Sequence, residues 1–376
     1  MKARHTFFLC AAAFATLIFS ACEFNGGSIY ATIEAAKKTI DSSLAKTLTV
    51  QDLVRAPGPS YYVAAGAIYE GIVPVPPVLP STEGDIIQWV PPLTPPVAGQ
   101  VCTSLVFLGG RLWGAFFNPD DSTFGLYRSN ATPSFAGAIA DPLFAGKQIM
   151  LLQVTTDGKL FAVAGAVTSN PYVFELYYSD DGVTWSPTPL LSGLSSMING
   201  VAWDGTQYWV VGGTTAYTFT PGNPPTPIGT FTSLPGINIG SATQLNGVFT
   251  DGARIFIPSK NGGVYYSPDR GSTWIQFEPD SISSNTVGYL TVAGPVDGSD
   301  IYLVGADGYG YYYLSVSGRT LTRFNDSTIL LYSAAVRRIL IDPGISVFMG
   351  TAGGGLWRAT FPTGTSTPDN NGWIHE

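Results

Sequence analysis

Acidic side chains are the one reactive class this chain carries in number: 26 Asp and Glu, against 2 His and 3 Cys. A glycosidase needs only two carboxylates at a fixed separation, and Asp120, Asp121, Glu175, Asp300 and Asp307 are the candidates. His5 lies in the first few residues and His375 is the penultimate one. No Ser-His-Asp or Cys-His centre can be assembled from them, and a transition-metal site lacks its donors. Asp120-Asp121 or Asp369-Asn370-Asn371 could offer oxygen ligands to calcium, but neither forms a dedicated loop motif. No metal site, no cofactor and no catalytic residue are therefore expected. Arg111 and Arg254 hold equivalent repeat positions and could converge on an anion; the simpler reading is two solvated strand-end arginines. Gly353-Gly354-Gly355 falls between two apolar runs, so it reads as a hairpin turn and not as a phosphate loop.

A repeat must position these groups. Ile198-Asn199-Gly200-Val201-Ala202-Trp203-Asp204-Gly205 returns 47 residues later as Leu245-Asn246-Gly247-Val248-Phe249-Thr250-Asp251-Gly252. Asp157-Gly158, Asp297-Gly298 and Asp342-Pro343-Gly344 continue the phase. Asp-Gly between alternating apolar runs is a hairpin signal, so these aspartates read as turn formers. A β-type segment follows each turn, at residues 111–116, 159–165, 207–213, 254–259, 300–306 and 346–352, with a seventh at 61–66. Strand-rich units of this period are propeller blades. The fold class expected is all-β, a β-propeller of seven blades of four antiparallel strands. A closing strand near residues 47–54 is expected to join the last blade, beside residues 373–376.

Two segments resemble the Asp-box of the bacterial neuraminidase repeat. Ser267-Pro268-Asp269-Arg270-Gly271-Ser272-Thr273-Trp274 has Ser, Asp, Gly, Thr and Trp at the motif's spacing. Ser179-Asp180-Asp181-Gly182-Val183-Thr184-Trp185 is one residue shorter. The resemblance implies a sialidase-like propeller in which Ser179, Asp181, Gly182, Thr184, Trp185, Ser267, Asp269, Gly271, Thr273 and Trp274 are structural. Asp, Ser and Thr would bond turn N–H groups, and Trp would pack between blades. Sialidases themselves use three arginines, a Tyr–Glu pair and an acid/base Asp, with Arg-Ile-Pro opening the fold. That motif is absent here; Arg254-Ile255-Phe256-Ile257-Pro258 reads as an ordinary strand.

Lys2 and Arg4 precede an apolar run over residues 7–21, too short to span a bilayer. It ends in Phe19-Ser20-Ala21-Cys22, which resembles the lipobox of bacterial lipoproteins. The resemblance implies a signal peptide over residues 1–21 and a lipid (palmitate) on Cys22. Residues 22–48 then form the lipidated cysteine, spacer and tether. Ile29, Ile33, Ala36, Ile40 and Leu44 recur at helical spacing, so a short amphipathic helix is expected over 29–46. The propeller takes residues 49–376. With Cys10 and Cys22 accounted for, Cys102 has no partner for a disulfide.

Charged residues make up only 12% of the chain and the net charge is −8, so nucleic acid is not an expected partner. The leading expectation is a membrane-anchored, non-catalytic binding or scaffold module, monomeric, engaging envelope or host proteins. Two others stay open: a glycan-binding or glycan-hydrolysing propeller, and a structural envelope lipoprotein. Glu23 after the cysteine points to the outer membrane of the cell envelope.

Overall fold

The structure is a computed structural model that describes residues 48–58, 60–72, 87–90, 92–131, 133–166, 173–231, 234, 243–278, 287–324, 330–342, 346–359 and 372–376. The signal sequence, Cys22 and the helix expected over 29–46 lie outside the described residues, as does Asp369-Asn370-Asn371.

Seven antiparallel sheets follow one another along the chain. Blade 1 is β1 (Asp52–Arg55), β2 (Ser60–Ala65), β3 (Ala67–Ile72) and β4 (Gln88–Trp89). Blade 2 is β5 (Val101–Leu108), β6 (Arg111–Phe117) and β7 (Phe124–Arg128). Blade 3 is β8 (Lys147–Val154), β9 (Leu160–Ala166), β10 (Phe174–Ser179) and β11 (Leu191–Leu194). Blade 4 is β12 (Ile198–Trp203), β13 (Tyr208–Gly212), β14 (Thr215–Thr220) and β15 (Thr226–Phe231). Blade 5 is β16 (Gln244–Leu245), β17 (Phe249–Asp251), β18 (Arg254–Lys260), β19 (Val264–Ser267) and β20 (Ile275–Phe277). Blade 6 is β21 (Tyr289–Ala293), β22 (Ile301–Ala306), β23 (Tyr311–Ser315) and β24 (Thr320–Arg323). Blade 7 is β25 (Ala335–Asp342), β26 (Ser346–Ala352), β27 (Leu356–Ala359) and β28 (Ile374–His375). The protein is a seven-bladed β-propeller, as the repeat predicts.

The seven segments read from the turn phase are the second strands, β2, β6, β9, β13, β18, β22 and β26. Each is sandwiched between neighbouring blades, which is why β13 (Tyr-Trp-Val-Val-Gly) is buried along its whole length. The outermost strand of the same blade, β15, is largely exposed and reads Thr-Pro-Ile-Gly-Thr-Phe. The expected turns are present: Gly205 and Gly252 take φ of +94° and +59°, a region closed to most side chains. The core is not one mass. Buried apolar side chains form a separate cluster at each blade-to-blade boundary, for example Phe161, Tyr178, Val210 and Phe219 between blades 3 and 4.

Two details differ from expectation. Among the described residues blade 2 has three strands, and the place of a fourth is taken by a loop whose Asp141 N–H donates to Leu126 O at 2.9 Å. Closure also differs. Residues 52–55 are the innermost strand of blade 1, not a strand of blade 7. Only the stretch before them crosses over, with Val50 N–H donating to Thr351 O at 2.9 Å and Gly355 N–H to Leu48 O at 3.0 Å. The ring closes side to side because each end blade completes its sheet from its own sequence. Glu376 then ties them: its carboxylate pairs with Arg358 in blade 7 and accepts from Trp89 Nε1 in blade 1 at 3.4 Å.

Candidate functional site

The innermost strands surround the axis, and their geometry follows from one repeated irregularity. An extra residue interrupts pairing in five of them: Thr103, Met150, Asn199, Leu290 and Arg337. In blade 5 the strand is broken at the same place, between β16 and β17. A bulge frees backbone groups that need new partners, and neighbouring blades supply them in both directions. The bulge side chain reaches forward to the carbonyl before the next bulge: Thr103 Oγ1 to Ile149 O (3.5 Å), Asn199 Nδ2 to Leu245 O (2.6 Å) and Asn246 Nδ2 to Tyr289 O (2.7 Å). The amide two residues past the bulge donates back: Leu105 N–H to Asp52 Oδ2 (3.1 Å), Leu152 N–H to Ser104 Oγ (2.9 Å) and Val201 N–H to Gln153 Oε1 (2.8 Å). The Asn-Gly of the sequence repeat is thus an inter-blade clip. Its glycine is required as well, because a Cβ on Gly200 would lie 2.7 Å from Val248 N.

This belt encloses a central cavity of about 400 Å³. Apolar residues, among them Leu53, Phe107, Leu151, Val154, Phe249 and Leu340, share the wall with Gln153, Asn199, Asn246 and Thr291, so polar and apolar surface line it in about equal measure. Three charged side chains line it: Asp52, Arg55 and Arg338. Asp52 is buried and fully occupied, accepting from Arg338 Nε (2.9 Å), Ser104 Oγ (2.9 Å), Leu105 N–H and Leu53 N–H. Arg55 pairs with Asp342, which also accepts from the Tyr61 hydroxyl. The arginines keep exposed faces, 44% for the Arg55 side chain and 37% for Arg338, so both present N–H donors to the cavity.

The structure does not bring the candidate carboxylates together, and none of the five lines the cavity. Asp120 and Asp121 share an exposed turn, where Asp121 accepts from Thr123 N–H at 2.9 Å. Burial works to raise the Glu175 carboxyl; Lys147 Nζ at 2.8 Å and the Tyr177 hydroxyl at 2.8 Å outweigh it and leave it below the usual range. Asp300 accepts from Ser317 N–H at 2.8 Å, and Asp307 sits beside Gly288 in blade 6. The arginines singled out by repeat phase do not converge either. Arg111 donates to Ser129 O at 3.0 Å, and Arg254 pairs with Asp251 in its own turn. Among the described residues no group of three His, Cys, Asp or Glu side chains gathers as a metal site. Arg55 and Arg338 carry no motif, and only ring closure brings them to one cavity.

The turns at 179–185 and 267–274 join the third and fourth strands of blades 3 and 5. Asp181 Oδ1 accepts from Val183 and Thr184 N–H, both at 2.7 Å; Ser179 Oγ accepts from Gly182 N–H at 2.8 Å. Asp269 Oδ1 accepts from Thr273 N–H at 2.7 Å, its Oδ2 from Thr273 Oγ1 at 2.8 Å, and Ser267 Oγ from Gly271 N–H at 2.7 Å. These bonds, Thr184 and Thr273 N–H first, hold both carboxyls below their ordinary pKa. Each turn also leans on the preceding blade. A Cβ on Gly182 would lie 2.9 Å from Trp113 and one on Gly271 2.5 Å from Trp209; Trp274 meets Trp209 edge-on at 5.8 Å, and Trp185 meets Phe144 at 4.9 Å.

No protein-family model matches the chain, and no curated protein matches it either. Solved structures do. "YCF48 bound to D1 peptide" superposes with a TM-score of 0.58 at 16% identity, over 86% of this chain and 96% of that one. "YCF48 from Cyanidioschyzon merolae" gives 0.54 at 15%, over 86% and 98%. The WD40 beta propeller domain of Doa1 gives 0.54 at 10%, over 84% and 93%. The likeness is one of fold. It extends over nearly the whole length of each of these propellers.

Proposed function

We propose that this chain is a membrane-anchored, non-catalytic binding or scaffold propeller that engages a protein partner in the cell envelope or on a host. The observation that carries the reading is the central cavity. Its wall mixes apolar side chains with Gln153, Asn199, Asn246 and Thr291, its one carboxylate is consumed by four donors, and its charged donors are arginine N–H groups. Such a site can hold a ligand but offers no acid/base pair to act on one. A similar fold has been captured holding a peptide, in the structure titled "YCF48 bound to D1 peptide". The lipid on Cys22 and an outer-membrane address belong to the proposal, supported by the sequence around Cys22 alone. So does the Asp-box identity of the two Ser–Asp–Gly–Thr–Trp turns.

Crosslinking in intact cells, followed by recovery of the native protein and of Cys22→Ala, tests both halves. The expected result is a stoichiometric protein partner with the native chain and release of Cys22→Ala from the membrane fraction. Failure to recover any partner sinks the binding reading; unchanged fractionation of Cys22→Ala sinks the anchor.

A further inference from the structure

The cavity is a local exception to the charge of the whole chain. The protein carries a net charge of −8, yet two of the three charged side chains that line the cavity are guanidiniums, each with N–H donors beyond its ion pair. Arg338 uses Nε on Asp52 and Nη1 on Arg337 O, and Arg55 uses Nη1 on Asp342. Both guanidiniums are ion-paired, Arg338 with Asp52 and Arg55 with Asp342, so what they offer a ligand is their remaining N–H donors and not an uncompensated charge. The two arginines are staggered. Arg338 meets Asp52 at the start of β1, and Arg55 meets Asp342 at the end of β25. Asp52 and Arg55 are three steps apart along an extended strand, roughly 10 Å. The two cations are therefore staggered along the channel, with Leu53, Val54 and Leu340 between them.

A volume of about 400 Å³ is at the small end for ligand pockets. It has room for the last few residues of a chain and none for a folded segment. Leu53, Val54 and Leu340 between two fixed guanidiniums suit an apolar chain that ends in a carboxylate. We propose that the central channel binds the C-terminal carboxylate of an extended peptide whose last residues are apolar, with Arg338, the less exposed of the two arginines, holding the carboxylate. This rests on the protein-binding reading above and narrows it to one end of the partner.

The test uses the full chain and a pool of fluorescein-labelled pentapeptides with randomised apolar last residues, prepared as free acids and as C-terminal amides. Fluorescence anisotropy should show the acid pool binding and the amide pool binding about ten- to a hundredfold more weakly, the size of a lost charge-assisted hydrogen bond. Arg338→Gln should abolish the difference. Because Arg338 also pairs with Asp52, a second variant keeps the test independent of folding: Leu340→Trp fills the channel, leaves both arginines in place and should abolish binding of the acid pool. Circular dichroism checks that each variant is folded. Equal binding of acids and amides, or no binding of either pool, overturns the proposal. So does displacement of the peptide by N-acetyl-leucine at equal concentration, which would make the ligand a small carboxylic acid. A cellular partner recovered as well by Arg338→Gln and Leu340→Trp as by the native chain would leave the protein-binding reading standing and remove the channel from it.

Discussion

The hydroxyl of Tyr302 in blade 6 donates to Oδ2 of Asp251 in blade 5 at 2.7 Å. The same link recurs as Tyr208 to Asp157 between blades 4 and 3, at 2.6 Å, and as Tyr61 to Asp342 across the closure between blades 1 and 7. In each case the tyrosine ring lies against a phenylalanine of the blade that supplies the aspartate: Phe256, Phe161 and Phe348, at 4.2, 5.2 and 4.7 Å. The turn aspartates are therefore more than turn formers, since they also lock one blade to the next. Tyr302→Phe should cost about 1–2 kcal/mol, and Asp251→Ala more because it leaves both the hydroxyl and Arg254 without their acceptor. A double-mutant cycle on urea unfolding midpoints should give a coupling near the value of Tyr302→Phe alone; a coupling of zero would mean the bond contributes nothing.

The same tyrosines predict an alkaline limit. Burial, then the neighbouring carboxylate, pushes the phenols of Tyr61, Tyr208 and Tyr302 far above their ordinary value of 10.0. A raised folded pKa contributes stability that is complete below the unfolded pKa and is lost as pH rises toward the folded one. Stability should hold up to about pH 10 and fall steeply beyond it. Phenolate absorbance should show these groups ionising together with unfolding, and a phenol that titrates at its ordinary value in the folded protein would contradict the packing.

Asn199 and Gly200 test the inner belt. Asn199→Ala removes the donor to Leu245 O and should cost about 1 kcal/mol. Gly200→Ala should cost more, about 1–3 kcal/mol, because the added methyl meets the backbone of Val248 and not a movable side chain. The order of the two thermal midpoints decides the point: Gly200→Ala less destabilising than Asn199→Ala would show that the blades do not approach as closely as the belt requires.

Asp181 and Asp269 have lowered pKa values set by turn N–H donors, led by Thr184 and Thr273. The stability they give is present above their unfolded value of 3.8 and is lost as pH falls through the lower folded value. Asp181→Asn with Asp269→Asn should lower stability at neutral pH and flatten its decline below about pH 4. Thermal melts over that range would read the change, and an unaltered acid slope would refute it.

Closure makes the last prediction. Glu376 and Arg358 are both buried, and Glu376 alone also reaches Trp89 in blade 1. Glu376→Ala removes a buried carboxylate from its cation and should cost about 3–5 kcal/mol. Limited proteolysis should then cut first at the junction of blades 7 and 1; cutting elsewhere would place the weak seam at another boundary.

Much of this architecture is local chemistry written once per blade. Asp-Gly turns at positions 157, 204 and 251, with a buried strand after each, need only neighbouring residues, so their phase reveals seven units before any contact is known. The Ser–Asp–Gly–Thr–Trp turns are local for the same reason, because Asp269 reaches only to Thr273. The inner bulges were not legible, since one extra residue in an apolar run leaves the pattern unchanged. Nor was the site. Arg55 meets Asp342 across 287 residues and Arg338 meets Asp52 across 286. No periodicity within a blade can report a contact that exists only after the seventh blade has come round to the first, and the cavity is what that closure encloses.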